Sequence, residues 1–60
     1  MTATEVFKSA YALKQKYPGL RRQIDSILDL MEMEIEDGEP EENEAELAWS
    51  DIKDLVEEND

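Results

Sequence analysis

Sixty residues without cysteine or histidine limit the chain to one small domain that has no disulfide, no thiolate and none of the commonest general bases. Seventeen Asp and Glu against six Lys and Arg leave a net charge of −11, which argues against direct binding to nucleic acid or an anionic membrane surface. No run approaches the roughly 18 apolar residues of a membrane span, and no basic start leads into an apolar stretch, so a cytoplasmic protein is expected. High charge raises disorder as a class, but hydrophobic residues make up 40% of the chain and stand in helical order.

Two breakers punctuate the chain, Tyr17-Pro18-Gly19 and Asp37-Gly38-Glu39-Pro40. The three segments they separate have helical periodicity, and none has the alternation of a strand. In the first, Thr2 or Thr4 suits the N-cap position. Val6, Ala10, Leu13 and Tyr17 fall on one arc that Phe7 and Tyr11 widen, and Lys14 and Lys16 complement the dipole of the last turn. The expected helix spans about 3–16, with all four aromatics, Phe7, Tyr11, Tyr17 and Trp49, assigned to the core.

Pro18 suits the first turn of a second helix, where a missing N–H costs nothing. Leu20, Ile24, Ile27, Leu28, Met31 and Ile35 gather on one face, and Gly38 is a natural C-terminal stop, giving a helix over about 18–36. The third helix, about 40–57, has two candidate starts. One is Pro40 with Glu41 and Glu42 in the first turn; the other is a capping-box-like pair, Asn43 and Glu46. Ala45, Ala48, Trp49, Ile52, Leu55 and Val56 form its apolar face.

Three amphipathic stripes joined by short connections predict an all-α fold: a small three-helix bundle or an open three-helix array, forming one acidic helical domain over residues 1–60. A core of this size typically contributes about 3–5 kcal/mol, which partner binding or self-association would raise.

The charge is unevenly placed. Residues 1–22 carry five cations against Glu5, a balance of +4, whereas 23–60 carry sixteen acids against Lys53, a balance of −15. The simpler account of the basic pole is internal, packing against the acidic helices. On the second helix Asp25, Asp29, Glu32 and Glu36 are spaced four, three and four, an acidic stripe suited to a partner's basic surface as well as to solubility. On the third helix Asp51, Asp54, Glu57 and Glu58 continue the field, with Lys53 placed to pair with Glu57.

Away from the core face of the second helix runs an uncharged lane, Gln23, Ser26, Leu30 and Met33, spaced three, four and three. That is the spacing of a helix–helix seam, for a partner, a homodimer or the third helix. Leu47 is similarly off the core face of its helix, but stands alone there.

Other chemistries find little footing. With Gly38 at the sixth position of a calcium loop, Met33 and Ile35 would occupy ligand positions, so the loop fails. There is no phosphate-binding Gly-rich loop, and paired carboxylates on a thin helical domain lack a substrate cleft. No catalytic residue, metal or cofactor is expected. The expected function is a non-enzymatic acidic interaction protein that occludes or regulates a basic surface of another protein, of inhibitor, antitoxin-like or nucleic-acid-mimic type. The alternative is a homo-oligomeric structural or adaptor protein whose acidity serves solubility.

Overall fold

The computed structural model describes residues 1–59, among which there are three α-helices and no strand. α1 spans Ala3–Lys16, α2 Arg21–Glu36 and α3 Glu41–Glu58. Each helix packs against the other two, so the chain closes into a bundle rather than an open array. The bundle measures 33 × 17 × 16 Å, one helix long and two wide.

Local chemistry sets each boundary. Thr2, not Thr4, caps α1. The Glu5 backbone N–H donates to Thr2 Oγ1 at 3.2 Å, and the Thr2 N–H donates to the Glu5 carboxylate at 3.1 Å, a complete capping box. Hydrogen bonding from Thr2 to the Glu5 carboxylate, chiefly from the Thr2 backbone N–H and then from its side chain, holds that carboxyl below its ordinary value, because it favours the charged form. α1 ends where Tyr17, preceding Pro18, is forced out of helical conformation (φ −124°, ψ 71°).

The second helix starts later than the Pro18 signal suggests. Pro18–Leu20 form a 3₁₀ turn, closed by the Leu20 N–H on the Tyr17 carbonyl at 2.9 Å, and the α-helix begins at Arg21. Proline preorganises that tight turn as readily as an α-helical one. At the other end the Gly38 N–H donates to the Ile35 carbonyl and the Glu39 N–H to the Glu34 carbonyl, both at 3.1 Å. This Schellman closure requires the positive φ of Gly38, +103°. Pro40 then opens α3, with Glu41, Glu42 and Glu44 in its first turn; the Asn43–Glu46 start is not used.

Nine hydrophobic residues form the buried core: Val6, Ala10, Leu20, Ile24, Leu28, Met31, Ala45, Ala48 and Ile52. Nine more pack against it while partly exposed, among them Phe7, Leu13, Tyr17, Ile27 and Trp49. Alanines at 10, 45 and 48 bring the helix backbones close, while Ile24, Ile52 and Val6 are the largest fully buried side chains. No polar or charged residue is buried among the described residues.

Tyr11 departs from its expected place in the core. It is 62% exposed: the inward arc of α1 carries Val6, Ala10 and Leu13 with Phe7 on its flank, and Tyr11 lies outside it on the surface, beside Lys14, Gln15 and Arg21. The expected Lys53–Glu57 pair is also not made; the two ion pairs among the described residues are Lys14–Asp25 at 2.7 Å and the Met1 amino group with Glu46 at 3.9 Å. Among the described residues no helix is long and apolar enough to cross a membrane.

Candidate functional site

The turn at Asp37–Pro40 sends α3 back along α2, and a groove opens along their outer junction. Its central part, about 280 Å³, is lined by Ile27, Leu30, Met31 and Glu34 of α2 and by Glu44, Leu47, Ala48 and Asp51 of α3. Toward the far end it continues past Gln23, Ser26 and Ile27 on one side and Asp51, Asp54, Leu55 and Glu58 on the other. Ile27 and Asp51 belong to both stretches, so the surface is continuous.

Helical spacing explains the alignment. On α2 the groove-side line is 23, 27, 30 and 34; on α3 it is 44, 47, 51, 54 and 58. Steps of three and four keep each line on one side of its helix. The floor, Ile27, Met31 and Ala48, is apolar, and acids and two leucines line the walls above it. Leu30 is 56% exposed and Leu47 62%, so two leucines from different helices converge on one groove while remaining open to solvent. Glu34, Glu44, Asp51, Asp54 and Glu58 surround them, and none of the five forms an ion pair among the described residues.

Three members of the uncharged lane, Gln23, Ser26 and Leu30, lie on this groove. Met33, 56% exposed, stands at 180° from the buried Ile24 on the helical wheel and so sits on the outer ridge of α2. The acidic stripe of Asp25, Asp29, Glu32 and Glu36 is exposed and occupies the opposite flank of α2, toward α1. There Asp25 accepts a hydrogen bond from Lys14 Nζ at 2.7 Å. The stripe and the groove are therefore two surfaces, separated by the ridge that bears Met33.

The basic pole is partly used internally. Lys14 is bound to Asp25, and Lys16 Nζ lies 5.5 Å from the centre of the Tyr17 ring, within cation–π range. Among the described residues no three acidic side chains converge as metal ligands.

Leu47, Glu34 and Glu44 are the groove residues that single-helix reasoning leaves aside. Leu47 looks solitary on its own wheel. The signal lies in overlaying two wheels, those of α2 and α3, which the short Gly38–Pro40 connection places side by side. No protein-family model matches the chain, and neither a characterised protein nor a solved structure shows significant similarity to it.

Proposed function

We propose that the chain is a non-enzymatic binding module that engages a basic surface of a partner protein and so occludes or regulates it. The observation that carries this reading is the excess of unpaired acid: of the stripe and groove carboxylates only Asp25 forms an ion pair among the described residues, and part of the charge opposes the helix dipoles. α2 has Arg21 and Arg22 in its first turn and Glu36 at its last position, while α3 ends on Glu57 and Glu58 with no base in its last turn. Each such placement opposes the macrodipole and costs about 0.3–1 kcal/mol at a helix end. Solubility alone asks for a net charge of magnitude about 2–8 in a small domain; the chain carries −11, with Glu5, Glu41, Glu42 and Glu44 in favourable first turns but Glu36, Glu57 and Glu58 at helix ends where they weaken the fold. Charge beyond that range, largely unpaired and held in part against stability, fits an electrostatic role toward another molecule, with the acidic field steering a cationic partner onto the surface.

The test uses the intact chain, immobilised, to capture partners from its native host at low and high salt, followed by association kinetics of the captured protein. The quadruple variant Asp25→Asn, Asp29→Asn, Glu32→Gln, Glu36→Gln is expected to keep its helicity, associate more slowly and lose most of the salt dependence of the rate. An unchanged rate with a partner that binds wild type returns the stripe to a solubilising role.

A second reading, homo-oligomerisation through the lane of Gln23, Ser26, Leu30 and Met33, draws support from the exposure of Leu30 and Met33. Light scattering across a concentration series separates it from the first, since only self-association raises the mass of the purified chain.

A further inference from the structure

We propose that the α2–α3 groove is the docking site for a basic amphipathic helix of another protein, which would lie along it as the fourth helix of a bundle. The proposal rests on the reading of the chain as a module for basic partners, and adds which surface does the docking and what shape the ligand takes.

Three observations converge. The groove is bounded by two helices, and the lining residues on α2 run from Gln23 to Glu34, about 16 Å at 1.5 Å per residue. That suits an occupant with about three helical turns in the groove, presenting anchors at i, i+3, i+4 and i+7. Above its floor of Ile27, Met31 and Ala48, its walls offer Leu30 and Leu47, each more than half exposed, as contact points for an apolar stripe. Its rim holds acids at both ends, Glu34 and Glu44 at one and Asp54 and Glu58 at the other, with no cation among the lining residues. An apolar stripe flanked by Lys or Arg is the complement of that pattern, and an acidic or neutral helix is disfavoured by it.

Charge also argues against a second copy as occupant. Pairing two grooves about a two-fold axis sets the same acids against one another. The one helix of this chain rich in base, α1, has buried its own Val6 and Ala10 and has only Tyr11 as an exposed large hydrophobic side chain to offer among the described residues.

The experiment titrates two synthetic peptides of about fourteen residues into the full chain labelled with ¹⁵N. One carries leucines at helical spacing among lysines; the other has the same composition scrambled so that no stripe forms. The striped peptide is expected to bind at least about tenfold more tightly, with amide shifts centred on Ile27, Leu30, Leu47 and Asp51. Leu30→Glu and Leu47→Glu change exposed positions, so circular dichroism should find both folded, and each should weaken the striped peptide about tenfold or more by setting an unpaired carboxylate against its leucines. Equal affinity for the two peptides, or shifts centred on Asp29 and Glu32, overturns the groove while leaving a purely electrostatic module intact. Binding of neither peptide also overturns it, and the broader reading then stands or falls on the kinetics with the captured partner. A concentration-dependent mass that Leu30→Glu abolishes identifies a second copy as the occupant and likewise overturns the proposal.

Discussion

Lys14 Nζ lies 2.7 Å from Asp25 Oδ1, tying the basic first helix to the head of the acidic stripe on the second. The pair joins opposite poles of a chain whose first 22 residues and remaining 38 carry opposite net charge, and it gives one of the five N-terminal cations an internal use. Lys14 is committed to the fold, so the stripe has three free carboxylates rather than four. On the other flank of α2, the groove acids have no such partner among the described residues. The surface available to a cationic ligand is thus richer in unpaired acid on the α3 side than on the α1 side.

Lys14→Met should lower stability by about 0–1 kcal/mol, since both side chains keep contact with solvent and exposed pairs contribute little. The loss should shrink as salt screens the pair. Thermal melts of wild type and variant at low and high ionic strength check this; a loss independent of salt would assign Lys14 a packing role through its methylenes instead.

The capping box at Thr2 and Glu5 links the start of α1 to pH. Glu5 has its carboxyl lowered in the folded state by bonds from Thr2. Its contribution is therefore complete above the unfolded carboxyl value of 4.5 and is lost as pH falls through the lower folded value. Thr2→Ala should cost about 1 kcal/mol at neutral pH. It should also move the Glu5 titration, followed by NMR, back up toward the ordinary carboxyl value.

Two glycines make opposite forecasts. Neither Gly19 nor Gly38 has an atom within 4 Å of where a Cβ would stand, so any difference comes from the backbone alone. Gly38 adopts φ +103°, a region L side chains avoid, and Gly38→Ala should destabilise by about 1–2 kcal/mol. Gly19 carries no such conformation, and Gly19→Ala should be neutral or stabilise by up to about 1 kcal/mol by narrowing the unfolded ensemble. Chemical denaturation of the two variants side by side measures the contrast.

Punctuation and periodicity made most of the fold legible. Pro18, Gly38 and Pro40 mark breaks because their constraints are local, and the Ile24–Leu28–Met31 face follows from helical geometry without knowledge of neighbours. Tyr11 was misplaced for the converse reason: its position on the wheel borders the core arc, and whether a border position is covered depends on where the other two helices pack. The same limit applies to the groove. Leu30 stands out on α2 by itself, but Leu47 acquires meaning only beside it, and that adjacency is a tertiary property. The 3₁₀ form of Pro18–Leu20 was hidden because proline suits the start of either helix type.

Glu36 offers the sharpest separation of stability from binding. It closes α2, where a negative charge opposes the helix dipole, and it lies four residues after Glu32, a repulsive like-charge spacing. Glu36→Lys reverses both effects, placing a cation at the negative end of the dipole and giving Glu32 a partner in the favourable orientation. The variant should gain about 0.3–1 kcal/mol from the dipole and a few tenths more from the pair, read as a higher thermal midpoint. If the acidic field steers a cationic partner, the same variant should associate more slowly, because the net charge moves from −11 toward neutrality by two. A more stable protein that binds more slowly is the signature of charge held for recognition. Higher stability with an unchanged association rate would confine recognition to the α2–α3 groove, whereas a lower midpoint would show that Glu36 makes a stabilising contact which outweighs the dipole.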